Sequence, residues 1–239
     1  MASVAAVFDL DGTLVTFEFD VKGTRKAIIE ELSKRGFDTS ALGMTTPTQT
    51  MVDTARMQVE SGKVNADFDE VRAKLYAILD ASEMESSKEA NIFPGTRETL
   101  EYLKSKNVRL AVLTNSGKGP SAEILRRAGL RDCFEFVLCR DEVLMMKPRP
   151  DGLVRAISLL RMPRDHVFYV GDSKYDIIAA KEAGLRVIGV ASGNYSAAML
   201  KDEGADYVIS SLSELPALLG VQTSAVGGIL GPSSTMPEH

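Results

Sequence analysis

Cysteine is scarce in this chain of 239 residues, with Cys133 and Cys139 its only two. They are too few for a disulfide framework and form no Cys-x-x-Cys pair. Both read as small buried apolar residues in a reducing setting. Histidine is equally scarce. His166 and His239 lie far apart and match no zinc-ligand spacing, and His166 reads as a loop residue ahead of a strand. A basic excess is also missing. The net charge of −5 argues against a nucleic-acid footprint, which needs a basic patch. It does not exclude an anionic small molecule, for which one local lysine or metal ion suffices. No apolar run approaches the ~20 residues of a membrane span. No basic stretch followed by an apolar one opens the chain, so a signal peptide is not expected and the expected location is cytoplasmic. Asn194-Tyr195-Ser196 then reads as a chance glycosylation sequon.

What is present is a globular composition, 44% hydrophobic, enough for one large domain or two modest ones. The chain is organised around Ala6-Val7-Phe8-Asp9-Leu10-Asp11-Gly12-Thr13-Leu14. The apolar run from Val4 to Phe8 predicts a buried strand, and it ends in two aspartates one residue apart. An Asp-Gly turn is the plain reading of that ending. A calcium loop does not fit, because its sixth position requires glycine and Leu14 stands there. Two carboxylates this close repel each other, and a divalent cation with a preference for hard oxygen ligands, such as Mg²⁺, would relieve the repulsion.

The hydropathy pattern divides the rest. Residues 15–20 read as a loop or tight hairpin. Helices are predicted over 21–35, stopped by Gly36, over 48–61, and in a third segment capped by Asn65 and carrying Val71, Leu75, Ile78 and Leu79. This block, 17–91, has no convincing strand between about 20 and 90 and reads as a separate small helical domain. Pro94-Gly95 punctuates the return, and Thr96 is the expected cap of a helix through Lys106. Strands at 108–113, 136–139, 167–170, 187–190 and 207–209 then alternate with helices at 120–128, 151–160, 173–183, 196–203 and 212–219. That alternation predicts an α/β, Rossmann-like parallel sheet with helices on both faces, formed by residues 1–16 and 92–220. Residues 221–239, rich in Gly, Ser, Thr and Pro, read as a flexible tail.

In a parallel sheet the strand ends collect on one edge, and four of them are chemically loaded. The first carries Asp9 and Asp11. The second ends in Thr114-Asn115-Ser116-Gly117, Lys147-Pro148 follows the third, and the fourth runs into Gly171-Asp172-Ser173-Lys174-Tyr175-Asp176. Taken singly, Thr114, Ser116 and Asp172 could be helix caps, Asp176 a favourable charge near a helix start and Lys147 a solvated lysine. Four such tips in order on one edge point to a site. Ser116-Gly117-Lys118-Gly119-Pro120 lacks the spacing of a nucleotide phosphate loop.

These four motifs, in this order, resemble those of the haloacid dehalogenase superfamily on its phosphatase side. The resemblance spans residues 9 to 176, and the helical block falls where that family carries an α-helical cap. It implies a Mg²⁺-dependent phosphatase of a small phosphorylated metabolite, similar to phosphoglycolate phosphatases, acting through an aspartyl-phosphate. Asp9 would be the nucleophile and Asp11 the general acid and base. Leu10, Asp11, Thr114, Asn115 and Lys147 would hold the phosphoryl group, with Lys147 also offsetting charge. The metal ligands would be Asp9, Asp11 through its carbonyl, and Asp172, with Asp176 one helical turn behind them. Dehalogenases of the same superfamily lack the second acid, since halide leaves without a proton, so Asp11 favours phosphoester chemistry. A closing cap would hinge near 15–20 and 91–95. The competing readings are a phosphosugar mutase like β-phosphoglucomutase, a pyrophosphatase, and a non-catalytic binding protein on the same fold.

Overall fold

The computed structural model describes residues 4–221. Apart from Val221, the tail expected over 221–239 lies outside the described residues, as do residues 1–3 of the expected sheet domain. Six strands form one parallel sheet: β1 (Ala5–Phe8), β4 (Arg109–Leu113), β5 (Phe136–Leu138), β6 (Val167–Gly171), β7 (Arg186–Val190) and β8 (Tyr207–Ile209). Their spatial order is β5-β4-β1-β6-β7-β8, with every pairing parallel. Two short strands, β2 (Val15–Thr16) and β3 (Asn91–Ile92), pair antiparallel as a separate ribbon.

The order of strands fixes where a site can form. From β1 the chain crosses to β4 and outward to β5, then returns to the other side of β1 as β6 and continues outward through β7 to β8. The crevice therefore opens at the carboxyl end of β1, where the direction of winding reverses.

Both faces of the sheet are buried, and period-two alternation sorts the side chains between them. Ala6, Phe8, Leu110, Val112, Phe168, Val170, Ile188 and Val190 share one apolar cluster. Ala5, Val7, Ala111, Leu113, Val167, Tyr169 and Val187 share the other. The first cluster is covered by α4 (Thr96–Ser105), α5 (Lys118–Ala128) and the short α9 (Leu215–Leu218), which contribute Leu100, Leu103, Ile124, Leu125 and Leu215. The second is covered by α6 (Asp151–Leu160), α7 (Lys174–Glu182) and α8 (Ala197–Asp202), which contribute Leu153, Ala156, Leu160, Ile177 and Leu200.

Between the ribbon strands lie α1 (Val21–Lys34), α2 (Thr48–Glu60) and α3 (Phe68–Ser87). They pack around a third cluster that includes Ile28, Leu32, Met51, Val52, Ala55, Val71, Leu75 and Leu79, joined by Met146 from the loop after β5. The two chain passages that lead into and out of this block are the two that pair as β2 and β3.

Two helix starts differ from expectation. Asp67, not Asn65, caps α3, accepting a hydrogen bond from the Asp69 N–H at 2.8 Å. Starting there brings Asp69 and Glu70 into the first turn, where the helix dipole favours acids. Gly95, not Thr96, precedes α4, with φ of 78°. Thr96 is fully buried and donates its hydroxyl toward the Leu14 carbonyl at 3.4 Å, so its side chain ties α4 to the residue just before β2 instead of capping. Cys139 is buried as expected, whereas Cys133 is only half-buried.

Candidate active site

Asp9 follows β1 directly, and its N–H still donates to the Val170 carbonyl of β6 at 2.8 Å. Register with β6 therefore sets where the Asp9 side chain leaves the sheet. Asp11 lies in the tight turn after it, closed by the Gly12 N–H on the Val15 carbonyl at 2.8 Å. Gly12 has φ of +83°, and a Cβ there would stand 2.5 Å from an Asp172 carboxylate oxygen. Gly193, in the loop after β7, approaches Asp172 closely too, since a Cβ there would meet it at 1.9 Å. Both positions need glycine because a carboxylate occupies the space a side chain would take.

Lys147 is buried, and its Nζ donates to Asp9 Oδ1 at 2.6 Å, to Asp176 Oδ1 at 2.6 Å and to the Tyr169 hydroxyl at 2.9 Å. All three donor sites of the ammonium are thus engaged. Asn115 fixes the lysine main chain reciprocally: its Nδ2 donates to the Lys147 carbonyl and its Oδ1 accepts from the Lys147 N–H, each at 2.9 Å. The Lys147-Pro148 peptide is cis.

Asp176 has both oxygens occupied. Oδ1 accepts from Lys147 and, at 2.9 Å, from the Tyr169 hydroxyl. Oδ2 accepts from the Ser173 N–H at 3.0 Å and the Ser173 hydroxyl at 2.5 Å. The Ser173–Asp176 contacts form the capping box of α7. Asp176 therefore positions other groups.

Asp11 is set differently. Its Oδ2 accepts from the Thr114 hydroxyl at 3.0 Å and the Ser116 hydroxyl at 2.6 Å. Its Oδ1 is buried without a hydrogen-bond partner among the described residues. The main-chain N–H groups of Leu10, Asp11 and Asn115 take no partner among the described residues. Donors in two turns flanking a carboxylate make a place for anionic oxygens.

The electrostatics follow from burial. Desolvation pushes the Asp9 carboxyl well above its ordinary range; Lys147 opposes this, while Asp176, Asp11 and Asp172 add to it. Burial likewise raises Asp11 to about 6, against the hydrogen bond from Ser116 and with a further push from Glu83. Asp172 rises to about 7 through burial and then the charge of Asp176. Burial alone would lower Lys147, but the attraction of Asp176 and Asp9 outweighs it and holds the ammonium charged.

One lysine thus faces several buried carboxylates. Carboxylate oxygens of Asp9, Asp172 and Asp176 all lie within 4.8 Å of one another. Hard oxygen donors in excess of the local positive charge suit a divalent cation. With Asp176 already engaged on both oxygens, Asp9 and Asp172 are the carboxylates best placed to hold one.

A pH dependence of stability follows. The folded pKa values of Asp9, Asp11 and Asp172 all lie above their usual values. The native state then binds more protons than the unfolded chain, so this contribution favours folding at acidic pH and is lost as pH rises through the folded values. In excess chelator the melting temperature is expected to fall between about pH 5 and about pH 8 from this source, and Mg²⁺ is expected to recover most of the loss. Scanning calorimetry with and without the ion checks this. An unchanged or rising melting temperature in chelator contradicts it.

Two cavities meet at these residues. An open cleft of about 530 Å³ is lined by Asp9, Asp11, Asp172 and Lys147 from the sheet edge and by Phe17 and Phe19 from the passage into the helical block. A smaller cavity of about 180 Å³ lies between the sheet edge and the helices. Asp11, Asn115 and Lys147 line both.

Tyr169, Arg140 and Glu83 also belong to this region and are not among the residues the sequence singles out, whereas Ser116 is, as part of the strand tip after β4. Arg140 is 1% exposed and donates to Glu83 Oε1 at 2.7 Å and Oε2 at 3.0 Å, to the Asn115 carbonyl at 2.8 Å, and to Asp80. Glu83 also accepts from the Gly117 N–H at 2.9 Å. This ion pair joins α3 to the turn after β4. Its signal was present in the sequence: Glu83 continues the buried row Val71, Leu75, Leu79 at four-residue spacing, a charge in a core position. Removing the arginine leaves a buried glutamate unpaired, which costs about 3–5 kcal/mol. Arg140→Ala is therefore expected to lower unfolding free energy by that order in urea titration. A loss under about 1 kcal/mol would mean that Glu83 finds water on its own.

The comparisons agree with this geometry. The sequence profile of haloacid dehalogenase-like hydrolases matches residues 6–190. A phosphoglycolate phosphatase of Neisseria meningitidis is 30% identical over 220 residues, covering 88% of this chain and 91% of the relative. The plasmid phosphoglycolate phosphatase of Cupriavidus necator is 30% identical over 223 residues, covering 90% and 92%. Among solved structures, a hydrolase from Pseudomonas syringae superposes with a TM-score of 0.67 at 24% identity, covering 92% of this chain and all of the other, and so shares the fold. No helix among the described residues is long and apolar enough to cross a membrane. With loaded strand tips gathered at the switch point of a parallel sheet, and that profile spanning all of them, the chain belongs to the haloacid dehalogenase-like hydrolase family.

Proposed function

We propose that this hydrolase is a Mg²⁺-dependent phosphatase of a small phosphorylated metabolite, of the phosphoglycolate phosphatase kind. The observation that carries the reading is Asp11. It is a second acid beside Asp9, with one oxygen held by Thr114 and Ser116, the other unpartnered among the described residues, and burial pushing its carboxyl up to about 6. A group that titrates near neutral pH can both give and take a proton.

In the first step an Asp9 carboxylate oxygen attacks phosphorus. The bond from phosphorus to the ester oxygen breaks, and Asp11 gives that oxygen its proton, so the product leaves as an alcohol. In the second step water attacks the phosphorus of the Asp9 acyl phosphate. Asp11, now a carboxylate, takes the water proton, and the Asp9 carboxylate is released with inorganic phosphate. The unpartnered N–H groups of Leu10, Asp11 and Asn115 receive the phosphoryl oxygens. The ammonium of Lys147 holds Asp9 in place and offsets its charge. Asp9, Asp172 and the main-chain carbonyl of Asp11 would hold Mg²⁺, which supplies positive charge beside the phosphoryl group. Asp176, through Lys147, Tyr169 and Ser173, keeps these groups in register.

The helices of 17–91 act in this reading as a cap over the sheet domain of 1–16 and 92–220, hinged at the β2–β3 ribbon. A cap that excludes water suits a small substrate.

The test is phosphate release from a panel of small phosphomonoesters with Mg²⁺, 2-phosphoglycolate among them. Turnover that stops in chelator and returns with Mg²⁺ is the expected result. A sugar 1-phosphate isomerised without net phosphate release would identify a mutase instead.

A further inference from the structure

The smaller cavity carries a residue the mechanism does not use. Of the three cations that line it, two are committed: Lys147 to Asp9 and Asp176, and Arg140 to Glu83 and Asp80. The third, Arg25, forms no ion pair among the described residues. It lies in the second turn of α1, a helix fixed at its start by Asp20, whose carboxylate accepts from the Gly23 N–H at 2.8 Å. The guanidinium is oriented by one contact, from Nη1 to the Met44 carbonyl at 2.7 Å. Its Nε is buried and has no hydrogen-bond partner, and Nη2 also takes none among the described residues. A buried donor left without an acceptor costs about 1–3 kcal/mol, which a ligand supplying the acceptor would remove.

We propose that Arg25 recognises a carboxylate on the substrate, at the end remote from the phosphoryl group. The inference rests on the phosphatase reading above, and it specifies the substrate class as short phosphomonoesters that carry a carboxylate. Three features support it. The unpartnered edge of the guanidinium, Nε with Nη2, has the planar two-donor geometry that matches a carboxylate. The cavity adjoins the cleft of Asp9 through the shared residues Asp11, Asn115 and Lys147, so one short molecule can reach both ends. The volume of about 180 Å³ leaves room for the carboxylated end of such a molecule. Glu83, the other acid that lines the cavity, is already paired with Arg140.

The test is titration calorimetry of the full chain with Mg²⁺ and two non-hydrolysable ligands, 3-phosphonopropionate and propylphosphonate, which differ by the carboxylate. The wild type is expected to bind the carboxylated ligand about 10- to 100-fold more tightly, the range for one charge-assisted contact. In Arg25→Ala the ratio is expected to fall to about one, and in Arg25→Lys to an intermediate value, since the charge remains and the planar fork does not. An unchanged ratio in Arg25→Ala, or a ratio of one in the wild type, overturns the assignment. Circular dichroism and the affinity for propylphosphonate show whether each variant is folded. Should the ratio collapse as expected while no phosphomonoester is turned over, the phosphatase reading fails and the carboxylate site stands.

Discussion

Asp9→Asn is expected to abolish phosphate release, by ~10⁴-fold or more, and to leave the fold in place. The amide has the shape of the carboxylate but cannot attack phosphorus as an anion. Its effect on stability runs the other way. Burial and three neighbouring aspartates push the Asp9 carboxyl well above its ordinary range, with Lys147 opposing. An ionised Asp9 is therefore unfavourable to folding near neutral pH without a cation, and a neutral amide removes that penalty. In chelator, D9N is expected to melt no lower than the wild type, while Lys147 keeps Asp176 as its partner. Activity near wild type in D9N would remove Asp9 from the nucleophile role. A melting temperature well below wild type would mean that the Asp9–Lys147 pair stabilises more than the repulsion costs.

Lys147→Met is expected to lose both activity and stability. The ammonium contacts Asp9, Asp176 and Tyr169, and its side chain is 5% exposed. Without it, two carboxylates face each other in a buried site. Breaking such a pair costs about 3–5 kcal/mol, and loss of one electrostatic contact at a reacting group costs about 10²–10³ in rate. The pH dependence has a definite sign. Lys147 is raised above its usual value, so its contribution is fully present below the unfolded lysine pKa and is lost only as pH rises through the higher folded one. Wild type and variant are thus expected to differ at neutral pH and to converge in strong alkali. The difference also narrows in acid, where Asp9 takes up a proton. Urea titrations across pH read the stability, and phosphate release reads the rate. A variant as stable and as active as wild type at neutral pH would mean that the carboxylates are hydrated.

Much of this arrangement was legible before the structure. The run Ala5–Phe8 is apolar on both alternate sets, as a strand buried on both faces must be, and the alternation of later strands with amphipathic helices implied parallel pairing. Once the sheet is parallel, Asp9, Thr114, Lys147 and Asp172 are bound to meet at one edge. What stayed hidden depended on contacts distant in sequence. Arg140 and Glu83 are 57 residues apart, and no local period links them. Tyr169 looks like an ordinary member of an apolar strand, because its hydroxyl matters only once Lys147 and Asp176 are placed around it. The caps of α3 and α4 went astray for a local reason. Asn65 and Asp67 are both good capping residues two positions apart, and Thr96 would be one were its hydroxyl not turned toward Leu14.

The nucleophile can be identified chemically. Enzyme mixed with substrate and Mg²⁺, quenched within one turnover and treated with borohydride, reduces any acyl phosphate to the corresponding alcohol. Peptide mass spectrometry is expected to find homoserine at position 9 in a substrate-dependent amount, and aspartate unchanged at 11, 172 and 176. Reduction at another of these positions, or none at all during active turnover, would contradict a covalent path through Asp9.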